Sequence, residues 1–151
     1  MIRLLRTDIG NPDFKYLVKL LDAYLAEIDG DDNAFYLPLN KIDTLRQVVV
    51  ANDGHQPVAC GAFKEYAPGT VELKRMYTLP DWRGKGIAGR IVTELEKWAV
   101  ELSYQKIILE TGLNQPAAIA LYKRLGYHSI ANYGNYMGAT NSVCFAKELI
   151  G

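Results

Sequence analysis

The sequence predicts an α/β chain of the α+β kind, a mixed, mostly antiparallel sheet of six or seven strands flanked by helices. Three observations carry this. Three apolar runs, Gln47–Ala51, Pro57–Glu65 and Thr70–Leu79, follow one another with only turn residues between them, as in an antiparallel meander. Two stretches, one from Pro12 and one from Gly86, repeat apolar side chains every three or four residues, as helix faces do. A chain of 151 residues, 49% hydrophobic and 23% charged, fits one folded domain, 1–151, with a core that needs no staples.

The elements follow in order. Ile2–Arg6 opens as a short strand. Asn11 and Pro12 then offer a helix cap and a first helical residue, and Phe14, Leu17, Val18, Leu21, Leu25 and Ile28 form its apolar stripe. Gly30 to Asn33 ends that helix in an acidic loop. Asn52, Asp53 and Gly54 turn the first two meander strands, and Ala67, Pro68 and Gly69 turn the next two. A helix from Gly86 to Leu102 carries Ile87, Ile91, Leu95, Trp98, Ala99 and Leu102. Lys106–Glu110 reads as a buried strand. Asn114, Gln115 and Pro116 open a helix that Gly126 stops, and Tyr127–Ile130 and Ser142–Leu149 close the sheet. The order is β-α-β-β-β-α-β-α-β-β.

Composition removes several function classes. Lys and Arg total 17 and so do Asp and Glu, a formal net charge of zero. A protein built to grip nucleic acid or an anionic membrane carries a basic excess, so neither partner is expected. Cys60 and Cys144 are too few for a disulfide framework, and with His55 and His128 they show no metal-ligand spacing, so no metal is expected. No run of 18 apolar residues and no signal-like start occur, which points to a cytoplasmic, reducing setting.

The most informative segment runs from Pro80 to Arg90, PDWRGKGIAGR. A strand ends and a long helix begins around Arg83, Gly84, Lys85 and Gly86. Glycines turn backbone N–H groups outward, and the first N–H groups of a helix lack intrahelical partners and carry the positive end of its dipole. The result is an anion cradle suited to phosphate. The P-loop pattern is missing. Gly84 to Gly89 does spell GxGxxG, but it follows a meander instead of opening a βαβ unit, against a dinucleotide fold. A strand-to-helix turn with no ligand is the plain alternative.

Arg83, Gly86 and Ala88 match the (Q/R)xxGx(G/A) pyrophosphate motif of the GNAT superfamily of N-acetyltransferases, and the chain resembles that superfamily in a second block. Asn114 and the run from Ala117 to Tyr127, AAIALYKRLGY, look like its N…A…LYxxxGF/Y segment. The resemblance implies a GNAT-type sheet with splayed central strands and acetyl-CoA as cofactor. It implies that the pantetheine arm lies between the splayed strands against the backbone of Met76, Tyr77 and Thr78. It puts the pyrophosphate on Arg83, Gly84, Lys85, Gly86, Ile87, Ala88 and Gly89, with Asn114, Ala117 and Tyr122 lining the other side of the arm. Members of the family are often homodimers.

The chemistry follows from what an amine needs. A free alkyl amine with a pKa of about 10 must lose a proton before it attacks a thioester. Glu72 is the candidate base: it matches a glutamate of some family members, and strand alternation puts Glu72, Lys74 and Met76 on one face. Glu110 and water are the rivals. A backbone N–H of the splayed strand can stabilise the oxyanion. Tyr122 stands where the family's tyrosine reaches the CoA sulfur, so it is the candidate acid, with a core tyrosine as the alternative. Arg75, Glu110 and Tyr133 are candidate acceptor contacts, Arg75 for a substrate carboxylate. Asp31 and Asp32 are candidates to attract a cationic amine, with a solvated acidic loop as the alternative; Phe35, Tyr133 and Tyr136 are candidates to wall a pocket, with plain packing as the alternative; and Cys60 and Cys144 are expected away from the proton-transfer groups. The reading is an acetyl-CoA-dependent N-acetyltransferase that acts on a primary amine of a small molecule or amino-acid-like acceptor by direct attack in a ternary complex. A protein or peptide amine, a CoA-binding regulatory module without catalysis and a nucleotide-binding domain are the alternatives.

Overall fold

The computed structural model describes residues 1–30 and 45–149; Asp31, Asp32 and Phe35 lie outside the described residues. The elements are β1 (Ile2–Thr7), α1 (Pro12–Asp29), β2 (Gln47–Asp53), β3 (Gln56–Ala67), β4 (Thr70–Thr78), a 3-10 turn (Pro80–Trp82), α2 (Ile87–Glu101), β5 (Lys106–Gly112), α3 (Pro116–Arg124), β6 (His128–Ile130), a second 3-10 turn (Gly134–Tyr136) and β7 (Ser142–Glu148). This is the predicted order. Among the described residues seven strands form one sheet, β1-β2-β3-β4-β5-β7-β6. The pairs β1/β2, β2/β3, β5/β7 and β6/β7 are antiparallel, and β4/β5 is parallel. A parallel pair needs a long connection, and the segment bearing α2 supplies it. Among the described residues no helix is long and apolar enough to cross a membrane.

The chain divides into two compact units, Met1–Lys64 with Lys74–Leu95, and Glu65–Leu73 with Glu96–Gly151. In the first, Asn11 caps α1 as expected: its side chain accepts from the Phe14 N–H at 3.0 Å, with Pro12 following it. Phe14, Leu17 and Val18 of the predicted stripe pack on Val48 and Val50 of β2 and on Cys60 and Ala62 of β3. Alternation sends Gly61, between those last two, to the opposite face. There a Cβ would overlap Met76 Sδ and stand 2.9 Å from Ile91 Cγ2 of α2, so this position is glycine because a helix approaches the strand closely. The hairpin turn falls one residue later than predicted, at Gly54 and His55, because β2 stays paired through Asp53. Gly54 takes the left-handed conformation, φ 61°, that the turn demands.

Arg75 has φ 59°, which a residue with a Cβ seldom adopts, so simple alternation does not run from Glu72 to Met76. Met76 points at Gly61, Ile91 and Leu95, whereas Tyr77 packs on the α1 cluster.

In the second unit β4 pairs with β5 at Thr70/Lys106, Val71/Ile107 and Glu72/Ile108, and β5 pairs with β7 from Lys106/Glu148 to Gly112/Ser142. Ile107, Leu109, Phe145 and Ala146 are buried. Lys147 bridges to Glu96 at 3.0 Å, and Tyr127 donates its hydroxyl to the same carboxylate at 2.8 Å. Helix α2 stops at Glu101, with Ser103 left-handed at φ 70° just beyond it. Leu102, read as the end of the apolar stripe, is therefore past the helix and 45% exposed.

Candidate active site

The first unit carries the glycine loop. Gly84 and Gly86 both have φ 78°, and a Cβ on either would meet no atom of the described residues within 4 Å. Glycine is required here by backbone conformation, and no described residue fills the space where a Cβ would stand. The α2 ladder opens with the Arg90 N–H bonding to the Gly86 carbonyl at 3.2 Å. The N–H groups of Ile87, Ala88 and Gly89 thus belong to the first turn, where a helix has donors to spare.

The neighbouring side chains fold back from the loop. Arg83 Nε donates to the Thr78 carbonyl at 2.9 Å, and its guanidinium lies 5.1 Å from the Tyr24 ring centre and 5.6 Å from that of Tyr77. Lys85 Nζ lies 5.9 Å from the Trp82 ring centre. Arg90 turns away, donating to the Ile2 carbonyl of β1 at 3.5 Å. Tyr24, which the sequence reading missed, shares the helical face of Leu17 and Leu21, a spacing that held a signal.

Arg75 is corrected. It is 5% exposed, its guanidinium is engaged by the Asp22 carboxylate of α1, and it also donates to the Val18 carbonyl at 3.4 Å. Its partner is internal, not a substrate carboxylate. Its carbonyl accepts the Cys60 thiol at 3.4 Å, and burial pushes that thiol up to about 12, against a smaller opposing pull from Arg75.

The second unit gathers the titratable candidates. Glu72 is only 4% exposed, and the Tyr133 hydroxyl donates to its Oε2 at 2.7 Å. Tyr133 stands edge-on to Tyr66 at 5.1 Å and to Tyr136 at 5.6 Å between ring centres. Burial, and then the Glu72 charge, push the Tyr133 phenol well above its ordinary value, so it stays protonated. Cys144 of β7 lies opposite Glu110 of β5. Burial raises its thiol, a backbone hydrogen bond at Tyr133 opposes this, and the charges of Glu110 and Glu72 add to the rise. Cys144 therefore sits among the candidate proton-transfer groups, contrary to expectation; adjacency across a ladder is invisible to local periodicity.

Tyr122 of α3 is buried, with ring centres 5.7 Å from Tyr127 and 6.5 Å from Phe145. Burial, aided by the Glu110 charge, raises its phenol, which remains a proton donor at neutral pH. Asn114 and Ala117, around the start of α3, are exposed, and Asn114 Oδ1 would stand 2.7 Å from a Cβ on Gly112. His128 is exposed on β6. The structure thus brings Glu72 to Tyr133, Glu110 to Tyr122 and Cys144, and Arg83 to Thr78 and Tyr77.

Comparison with known proteins decides the family. The pattern of the Acetyltransferase (GNAT) family matches residues 14–127. The chain belongs to that family. As a GNAT protein it is an acetyltransferase, and its relatives bear this out. It is 31% identical over 136 residues to an IAA acetyltransferase of Azospirillum brasilense, covering 88% of each chain. A solved structure from Klebsiella pneumoniae subsp. pneumoniae MGH 78578 matches 99% of both chains with a TM-score of 0.82 at 28% identity. An aminoglycoside 6'-N-acetyltransferase complexed with coenzyme A shares the fold, with a TM-score of 0.70 at 20% identity over 99% of this chain and 98% of that one.

Proposed function

We propose that the chain acts as a single acetyl-CoA-dependent N-acetyltransferase domain whose acceptor is a primary amine on a small molecule or amino-acid-like compound. The observation that carries this is the glycine loop: two left-handed glycines at the mouth of α2, with no atom of the described residues within 4 Å of where their Cβ atoms would stand. A methyl-free cradle of outward N–H groups fits the pyrophosphate of the cofactor. Gly84, Lys85, Gly86, Ile87, Ala88 and Gly89 would hold it, and Arg83 would keep the loop in shape through Thr78 and the two tyrosines. Met76, Tyr77 and Thr78, in the same unit as the loop, offer backbone to the arm. The coenzyme A complex of the aminoglycoside enzyme and the IAA acetyltransferase relative support the cofactor and a small acceptor.

Acetyl-CoA supplies the acetyl group as an activated thioester. The chain's own residues then manage protons. Glu72 accepts the amine proton at Oε1 or Oε2, directly or through water. Tyr122, protonated and buried, gives its hydroxyl proton to the departing thiolate. Glu110, whose charge reaches Tyr122, is the rival base.

A turnover screen with acetyl-CoA and a panel of amines, following CoA release with a thiol reagent, tests the reading. Amine-dependent release that Glu72→Gln and Tyr122→Phe each reduce, with calorimetric acetyl-CoA affinity retained, is the expected result. Binding of acetyl-CoA with no turnover on any amine would leave a CoA-binding module. Binding of NAD or ATP in its place would remove the cofactor assignment.

A further inference from the structure

We infer that Tyr24 of α1 is a positioning residue for the glycine loop. With Tyr77 it seats the Arg83 guanidinium, and the seated arginine holds the point from which the loop departs, so the cradle of N–H groups is formed before acetyl-CoA arrives. This rests on the reading of the loop as the seat of the cofactor's pyrophosphate. Three observations, all within the first unit, carry it. The guanidinium lies 5.1 Å from the Tyr24 ring centre and 5.6 Å from that of Tyr77, and the two rings stand 6.3 Å apart with their planes at 53°. A guanidinium over two tilted rings is attracted by both, and it is weakly hydrated, so the contact costs it little water. Second, Arg83 is tied twice. Its Nε donates to the Thr78 carbonyl at 2.9 Å, and its backbone N–H donates to the Pro80 carbonyl at 3.3 Å. The strand end beneath it is fixed as well: the Leu79 N–H bonds to the Val58 carbonyl and the Trp82 N–H to the Leu79 carbonyl, both at 2.9 Å. Gly84 follows directly at φ 78°, so the left-handed turn starts from a residue held by main chain and side chain together. Third, the two rings stand on packed scaffold. Tyr77 packs on the cluster of Phe14, Leu17 and Val18, and Tyr24 follows the buried Leu17 and Leu21 at helical spacings on α1. Arg83 is exposed, and a long exposed side chain left to itself samples many rotamers; the ring pair removes that freedom. A cradle ordered in advance spares the cofactor the cost of ordering it. The group that acts in Tyr24 is its ring face, not its hydroxyl, and that decides which substitutions are informative.

Acetyl-CoA is titrated calorimetrically into wild type, Tyr24→Leu, Tyr24→Phe, Arg83→Lys, Arg83→Gln and the Tyr24→Leu, Arg83→Gln double variant, with kcat on the best amine of the panel alongside. The fitted stoichiometry counts folded protein, so Kd is read free of any unfolded fraction. The expected result is a Kd weakened about two- to fivefold in Tyr24→Leu. Tyr24→Phe, which keeps the ring, retains the wild-type Kd, and both Tyr24 variants retain kcat at saturating acetyl-CoA. Arg83→Lys weakens Kd as Arg83→Gln does, because an ammonium keeps the charge but neither the Nε bond nor the stacked plane. The double variant binds no more weakly than Arg83→Gln alone, a non-additivity that shows Tyr24 acting through Arg83. Losses that multiply in the double variant would separate the two residues and overturn the inference, and so would a wild-type Kd in Tyr24→Leu. A wild-type Kd in Arg83→Lys would make Arg83 a charge contact for the phosphates and overturn it too. Equal losses in Tyr24→Phe and Tyr24→Leu would move the role to the hydroxyl and refute the ring contact. Failure of the wild type to bind acetyl-CoA would instead refute the cofactor reading, and the inference would fall with it.

Discussion

Replacing Gly86 by alanine separates what the loop does for the fold from what it does for a ligand. Gly86 sits at φ 78°, and an added Cβ meets no atom of the described residues within 4 Å. No clash is created, so the stability cost is conformational alone, about 1–2 kcal/mol for an L-residue in left-handed backbone. For a domain of this length each kcal/mol moves the melting temperature by about 2–4 °C, so a fall of about 2–8 °C follows. The ligand effect is distinct. If the cofactor's pyrophosphate uses the open space above the loop, the new methyl stands in it. Acetyl-CoA at a hundredfold excess over Kd stabilises the native protein by about 2.7 kcal/mol, and a tenfold weaker Kd cuts this to about 1.4 kcal/mol. Gly54 supplies the control, at φ 61° with no atom of the described residues within 4 Å of where its Cβ would stand, in the β2–β3 turn. Gly54→Ala shares the conformational cost and keeps the full ligand-induced shift. Differential scanning fluorimetry with and without acetyl-CoA reads both quantities. An unchanged melting temperature in Gly86→Ala refutes the backbone argument. An unchanged ligand shift refutes the assignment of the loop to the cofactor.

Other perturbations test the scaffold. Gly61→Ala drives a methyl against Met76 and Ile91 where β3 meets α2, and overpacking of this kind costs about 1–3 kcal/mol, read by urea unfolding. Asp22→Ala leaves the Arg75 guanidinium, 2% exposed, without its carboxylate; Asp22 is itself 43% exposed, so water softens the loss to about 1–3 kcal/mol in the same assay. Alkaline pH acts through tyrosines. Tyr122, Tyr127 and Tyr133 are all raised by burial from the ordinary value of 10.0, so their contribution is complete below that pH and drains away as pH climbs towards the higher folded values. Unfolding free energy should be level with respect to these groups from pH 8 to 9.5 and fall beyond 10, with phenolate absorbance rising only as the protein unfolds. Phenolate appearing in the folded state near pH 10 for all three would contradict their burial.

Most of the element order was legible because it is written locally. The α1 stripe, the Pro12 start and the turn glycines each act within a few residues, and Asn11 caps Phe14 only three positions away. The loop was legible for the same reason. What the sequence hid is long-range or against propensity. Nothing announces that Arg75 takes left-handed backbone, because that conformation usually selects Gly, Asn or Asp. Its partner Asp22 is 53 residues away, and Tyr133 reaches Glu72 across 61. Tyr133 and Tyr136 lie in a stretch with no periodicity to assign them a face, so local pattern shows neither the Tyr133–Glu72 bond nor the ring contact between the two tyrosines. Glu72 was selected in part by an alternation that Arg75 interrupts, and the pairing with Tyr133 stands on different ground.

The two cysteines bear on how the acetyl group moves. A cysteine serves as a nucleophile only as thiolate, and reactive thiols are found in electropositive, partly open surroundings. Cys60 is fully buried with its thiol pushed up to about 12, held to the Arg75 carbonyl. Cys144 is closer to the proposed chemistry, yet its environment works the same way: burial and the charges of Glu110 and Glu72 all favour the neutral thiol, against the backbone hydrogen bond at Tyr133. A carboxylate pair beside a thiol suppresses the species that an acetyl-cysteine route needs. The same two carboxylates suit the other route, since an amine that must shed a proton benefits from a nearby base. The surroundings that hold Cys144 as a neutral thiol are thus the ones that place Glu72 and Glu110, the proposed base and its rival, beside it, which suits the proposed direct attack better than an acetyl-cysteine route.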